Sequence, residues 1–335
     1  MNIRRTAISV LCIAALFHLS PDARGEATKL NVTTTGVSPT SLPAFIAKET
    51  GIFARNGLDV QVIRATSTVS VMALISGDLS IIEVAAPSMI RSALKGSDLV
   101  FVAAGVVTLN YWLMTNKPVK APGQLRGAII GSSDLSGSSF IAIQYAVRKL
   151  GLNPDKDVAI IRSGGTPERL MALRTGRINA TVLNPPTNFM AQKEGFNILT
   201  DVTGMPFQHN GVVTNRRFIR ENPDTVRRYV KSQIEAVYLM KTDRETGIRV
   251  LMKFLKAKEE DREVVEKSYD VSMGDEVYPR KQYPSLAGIK TVLDATVKDE
   301  PKAKEAKPED FVDMRFIKEL DESGFIDNLY KGKRN

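Results

Sequence analysis

The chain is short of the residues that carry most thiol and transition-metal chemistry. Its 335 residues hold one cysteine, two histidines and one tryptophan. Cys12 and His18 both fall in the opening segment MNIRRTAISVLCIAALFHLSPDARGEA. There Arg4 and Arg5 precede an apolar stretch from about Ala7 to Leu19, and small residues stand at Ala23, Gly25 and Ala27. That is the plan of a cleavable secretory leader, too short for a comfortable membrane span. Cys12 lies inside the apolar stretch rather than after a small-residue box, so no lipid anchor is expected and cleavage is expected near Ala27. The remaining chain would keep His209 as its sole histidine and no cysteine. A disulfide, a thiol nucleophile and a His/Cys metal cluster are then excluded, and no metal or cofactor is expected. The phosphate-binding signatures GxGxxG and GxxxxGKS/T are missing too.

Charge of one sign is in mild excess. The net charge of +9 drops by one with the leader, which carries three arginines against Asp22 and Glu26. In an exported protein that excess suits anionic small molecules or an anionic partner surface. Lysines scattered without interleaved aromatics argue against nucleic acid.

What is present is a doubled α/β pattern. A hydrophobic fraction of 43% in a chain this long supports two packed domains. Strands are expected at 29–35, 58–63, 79–85 and 99–107, with helices at 44–53, from Ser67 or Thr68 to Gly77, and from Pro87 towards Gly96. The second half repeats the first. Met72-Ala73-Leu74-Ile75-Ser76-Gly77 returns as Met171-Ala172-Leu173-Arg174-Thr175-Gly176. At the same offset Pro87 matches Pro186 and the cap candidate Ser67 matches Thr166, while Phe45-Ile46-Ala47 returns as Phe140-Ile141-Ala142. From Asn222-Pro223-Asp224, a capped helix start, the pattern becomes helical, with a solvated connection expected at 297–309.

The expected fold is therefore α/β and two-lobed, each lobe an open sheet flanked by helices. Residues 28–115 and 211–335 would form the first lobe and 116–210 the second, with the chain crossing at about Asn116 and near Asn210. In such sheets ligands sit beyond the carboxyl ends of the strands. The first lobe offers the turn 36–41, with Ser38, Thr40 and Ser41, and the turn 86–88, with Pro87 and Ser88. The second offers Gly164–Thr166, Asn184 to Thr187 with Pro185, and the stretch IIGSSDLSGSSFIAIQYAVRKLG around which the chain is organised. There a strand opens into Ser133, Ser136, Gly137, Ser138 and Ser139, followed by a helix capped by Ser138 or Ser136. A Ser/Gly loop at a helix start presents free N–H groups and hydroxyls to an anion or polar ligand. Arg162 and Arg169 are candidate countercharges, with solvated surface the favoured placing for both. Tyr111 and Trp112 near the first crossing could cover an apolar ligand body or pack the hinge. His209 and Asn210 belong to the hinge or rim, and Phe189 and Phe207 to packing.

The stretches PAFIAKETGIFARNGLDVQVI, ALISGDLSIIEVAAPSMIRSALKGSDLVFVAA, GSSDLSGSSFIAIQYAVRKLGL, ALRTGRINATVLNPPTNFMAQKEGFNILTDV and TNRRFIRENPDTVRRYVKSQIEAV carry a family likeness over about residues 30–240. The chain resembles periplasmic solute-binding proteins of ABC importers in the nitrate/sulfonate/taurine group, which includes binders and synthases of the thiamine pyrimidine. The resemblance implies a two-lobed type II binding fold, acting as a monomer, that closes on one small ligand and docks on a membrane permease, its only contact with the membrane. It puts ligand positions at Ser38–Ser41, Pro87 and Ser88, Ser133–Ser139, and Asn184-Pro185, where relatives often carry an acid or an aromatic before the proline. The expected function is capture of a sulfonate, carboxylate or nitrate-like anion without catalysis. The alternative is a pyrimidine-precursor binder or a synthase on the same fold, and the resemblance implies that the synthase needs a cysteine-rich motif.

Overall fold

The computed structural model describes residues 26–36 and 38–332, so almost all of the expected leader lies outside the described residues. The chain builds two five-stranded sheets of the same plan. In order it forms β1 (Thr28–Thr34), α1 (Leu42–Glu49), α2 (Ile52–Arg55), β2 (Leu58–Arg64), α3 (Ser67–Ser76), β3 (Ile81–Val84), α4 (Ala86–Leu94) and β4 (Leu99–Ala104). It then crosses to β5 (Trp112–Thr115), β6 (Ile129–Ser132), α5 (Ser138–Lys149), β7 (Ala159–Arg162), α6 (Thr166–Arg174), β8 (Ala180–Leu183), α7 (Thr187–Lys193) and β9 (Asn197–Asp201). β10 (Gly211–Asn215) returns to the first sheet and leads into α8 (Arg216–Glu221), α9 (Pro223–Thr242), α10 (Arg244–Leu255), α11 (Arg262–Asp270), α12 (Leu286–Thr296), α13 (Arg315–Glu322) and α14 (Phe325–Lys331).

The sheet orders are β2-β1-β3-β10-β4 and β7-β6-β8-β5-β9. β1 runs parallel to β2 and β3, and β6 runs parallel to β7 and β8. The strand that each lobe gains from a crossing, β10 or β5, is antiparallel to both neighbours. The interior strands β3, β8 and β10 and the edge strand β4 are buried along their whole length, so none shows the burial alternation of a half-exposed strand. The sequence repeat has a structural counterpart. Gly77 and Gly176 close α3 and α6 at φ +90° and +70°, a region that costs a residue with a Cβ about 1–2 kcal/mol.

Two expectations are corrected here. β5 belongs to the second sheet, so the first crossing lies between Ala104 and Trp112, ahead of Asn116. The connection 297–309 is not wholly solvated: 3-10 turns at Pro301–Lys304 and Pro308–Phe311 bury Ala303 and Phe311 against the same core as α12.

The crossings 105–111 and 202–210 lie antiparallel. The Leu109 amide donates to Met205 O (3.1 Å), the Phe207 amide to Val107 O (3.0 Å) and the Thr108 hydroxyl to Met205 O (2.9 Å). One hydrophobic cluster runs from α3 and α4 through Leu109, Tyr111 and Phe207 to α5, so the hinge is packed like a core. α12 braces it at close range: a Cβ on Gly288 would lie 2.5 Å from Phe207 C and Gln208 N.

Candidate functional site

The carboxyl ends of the parallel strands in both lobes lead into the polar turns singled out above. In the first lobe β1 leads to the turn at Pro39–Ser41, where Ser38, Thr40 and Ser41 are buried. The Ser38 and Thr40 hydroxyls share a 2.6 Å hydrogen bond. The second crossing holds this turn, since Asn210 Nδ2 donates to Thr40 O at 2.8 Å. α4 starts beside the same crossing, its Ala86 amide bonded to Gln208 O at 3.1 Å. Pro87 is buried and Ser88 half-buried in its first turn.

The second lobe brings its serine loop to this helix. Arg91, one turn beyond Ser88, donates from Nη2 to the Ser136 carbonyl across the lobe boundary at 3.0 Å. Residues three apart share a helix face, so Ser88 stands on the side of α4 from which Arg91 reaches the loop. Its hydroxyls are already engaged: Ser139 Oγ lies 2.6 Å from Ser133 Oγ and 2.9 Å from Ser132 Oγ, and accepts from the Ser133 amide at 3.0 Å.

The sequence reading left these amides free for a ligand; the structure corrects that. The Asp134 carboxylate accepts from the Ser136 amide at 2.8 Å and from the Gly137 amide. α5 has Gly137 rather than a serine at its N-cap. A carboxylate accepts from N–H groups two and three residues on without strain, so it competes with any external anion there. Ser138 Oγ is buried and without a partner among the described residues. The cap expected at Ser67 and Thr166 also moves: both are first helical residues, preceded by Thr66 and Gly165.

Arg169 is a second correction. It is 1% exposed, not solvated. Nη1 donates to Gly164 O (3.1 Å), Nη2 to Val182 O (3.1 Å) and to Thr166 Oγ1 (3.3 Å), and the Thr166 hydroxyl donates to Asn184 Oδ1 (3.2 Å). Thr166, Asn184 and Arg169 thus form one cluster at the carboxyl end of β8, and Pro185 lies buried next to it. Among the described residues no carboxylate bonds the guanidinium, and its Nε has no partner. Burial lowers its pKa, while Tyr111, Asp134 and Glu168 oppose that shift. Arg162, at the end of β7, is exposed as expected.

The aromatic residues near the first crossing separate to opposite faces of β5. Tyr111 stacks on His209 with ring centroids 5.2 Å apart, and Trp112 tilts against Phe189 at 6.0 Å. Lys267 of α11 stands over that Phe189 ring at 4.5 Å, a contact between lobes on another flank. His209 is buried in the second crossing with Nδ1 unpartnered. Burial pushes its pKa down to about 4, against a smaller rise from a backbone hydrogen bond to Thr108. Asn110 Nδ2 and Asn210 Oδ1 are likewise buried and unpartnered in the crossings.

Beneath the first-lobe turn lies an acid that the sequence reading did not single out. Glu83 on β3 is 1% exposed and accepts a 2.9 Å hydrogen bond from the Tyr229 hydroxyl of α9. Its Oε2 has no partner, and burial raises its pKa to about 7. Arg91 and Asp134 were missed as well. Asp134 carried a legible signal, an acid two and three residues before the Ser136 and Gly137 amides in a loop that ends in a helix. Arg91 and Glu83 carried none, because neither stands in a turn.

Comparison with known proteins agrees with this architecture. The NMT1/THI5-like family matches residues 38–243. A Brachyspira hyodysenteriae protein, named as a candidate ABC transporter periplasmic binding protein, is 26% identical over 102 residues, 30% of each chain. The chain therefore matches less than a third of that relative's length. The aliphatic sulphonate binding protein SsuA of Escherichia coli superposes with a TM-score of 0.68 at 16% identity, over 87% of this chain and 92% of that one. The nitrate-binding protein NrtA of Synechocystis PCC 6803 gives 0.71 at 14% identity, over 89% of each. With well over half of its residues matched and two open sheets flanked by helices, the chain belongs to the NMT1/THI5-like family and has the two-lobed fold of periplasmic binding proteins.

Proposed function

We propose that the protein is a non-catalytic periplasmic binding protein that holds one small organic or inorganic anion between its lobes and delivers it to an ABC permease. The observation that carries the anion is Arg169: a guanidinium buried at a strand end, bonded only to carbonyls and a hydroxyl, with no carboxylate at hydrogen-bonding distance. A buried charge with no carboxylate bonded to it, and only Asp134 and Glu168 acting from further off, is costly, and a ligand anion lowers that cost. Hydroxyls from both lobes, Ser88 of α4 and the unpartnered Ser138 of α5, would add to it. Charge-assisted hydrogen bonds contribute roughly 1.5–3 kcal/mol each, so three or four support micromolar capture, about 8 kcal/mol.

The proposed ligand positions are Ser38, Thr40, Ser41, Pro87 and Ser88 from the first lobe. Ser133, Ser136, Gly137, Ser138, Ser139, Thr166, Asn184 and Pro185 serve from the second, with Trp112 on the flank. Proposed boundaries follow the crossings, and the segment 1–27 acts as the export leader. A hydrolytic or synthase role is disfavoured by His209, packed neutral in the hinge against Tyr111 and Phe207, where it has no serine to activate.

A thermal-shift panel tests the reading, since a ligand that binds the native state raises its melting temperature. Ethanesulfonate, nitrate and benzoate are compared with a neutral aminopyrimidine and with ethylammonium. At least one anion class should raise the melting temperature in proportion to log concentration. A shift with the pyrimidine or the ammonium alone would contradict the anion.

A further inference from the structure

Three consecutive charges after α12 touch different parts of the molecule. Lys298 Nζ lies 3.5 Å from Asp155 of the second lobe, Asp299 lies 3.4 Å from Arg91 Nη1, and Glu300 lies 2.8 Å from Lys95. Arg91 and Lys95 stand four apart on α4, so both grip this turn from one helix face. Only Arg91 reaches further, to the Ser136 carbonyl. Its side chain is 18% exposed, which shields it from solvent far more than Lys95 at 67%.

We propose that Arg91, backed by the 298–300 turn, is an interlobe strap: a positioning residue that favours the closed form and fixes the serine loop only when the lobes meet. The inference rests on the reading that the cleft between the lobes holds the ligand, and adds how closure is set. The loop is pinned on two sides. Asp134 holds its amides from within the second lobe, and Arg91 holds its Ser136 carbonyl from the first. Opening breaks the Arg91 bond and leaves only restraints from within the second lobe, Asp134 and the Ser132, Ser133 and Ser139 hydroxyls, so the loop's orientation is coupled to closure. Lys298–Asp155 acts in the same sense but is exposed at both ends and contributes little.

The strap is tested without any ligand. In a Cys12→Ser background, cysteines introduced at the exposed positions Ala54 and Gln192, one in each lobe, carry spin labels whose separation is measured by pulsed electron resonance. Arg91→Met should move the population towards longer separations, roughly tenfold in the open-to-closed ratio. Arg91→Lys should restore part of it. Lys95→Met, which loosens the same turn only through an exposed pair within the first lobe, should open the protein far less than Arg91→Met. Equal distributions in parent and Arg91→Met would overturn the strap, as would equal opening by Lys95→Met. Because no ligand enters, this outcome is independent of the anion panel.

Discussion

Glu83 and His209 are buried titratable groups with opposite shifts, and both enter the dependence of stability on pH. Glu83 moves from 4.5 to about 7, so as pH rises across that window the unfolded chain loses its proton while the native chain keeps it, and stability falls. His209 moves from 6.5 to about 4, so as pH falls across that window the unfolded chain gains a proton that the native chain refuses, and stability falls in the other direction. Each contribution is on the order of 3 kcal/mol. The windows overlap, and the slopes largely cancel between 4.5 and 6.5. Glu83→Gln keeps a group of the same shape for Tyr229 and removes one slope. Its melting temperature should fall steadily from about pH 6.5 to about pH 4, where the parent chain stays nearly flat. Parallel curves for the two proteins would contradict the burial of Glu83 as a neutral acid.

Among the elements, α12 is the one whose packing against the hinge leaves no slack. Gly288→Ala places a methyl against Phe207 and Gln208 backbone, which cannot retreat as a side-chain tip can. Overpacking of this kind costs about 1–3 kcal/mol. Chemical denaturation should show that loss, with the denaturant dependence unchanged; full stability would mean that α12 rides on the hinge more loosely than these distances imply. The same scale shows what the sequence made legible. The repeated Met-Ala-Leu and its closing glycine marked α3 and α6, because a left-handed helix end leaves a signature in residue type. β5 was illegible: Trp112–Thr115 is four residues long, and its neighbours Leu183 and Asp201 come from distant segments. Arg169 was illegible for a different reason. Its helix, Thr166–Arg174, alternates charged and apolar residues without a clear face, so burial of one arginine is decided by Val182 and Gly164 carbonyls that only the tertiary structure brings near.

For the whole molecule, the two lobes meet through few contacts outside the packed hinge. Arg91 to the serine loop, Lys267 over Phe189 and Lys298 to Asp155 each join groups that a modest rotation would separate. Such a joint suits a clamp whose closed form gains stability from whatever it encloses, because a ligand that touches both lobes does so fully only when they are shut. Serine hydroxyls contributed from α4 and α5 are the groups to test, as Ser88 is half-buried one turn before Arg91 and Ser138 Oγ is buried without a partner. The most direct measurement is calorimetric titration of the anion that scores in the thermal panel into the parent chain, Ser88→Ala and Ser138→Ala. One ligand per chain is predicted, with each substitution weakening affinity roughly fivefold to tenfold, the loss of one hydrogen bond to a charged group. Unchanged affinity in both variants would contradict a ligand held between the lobes.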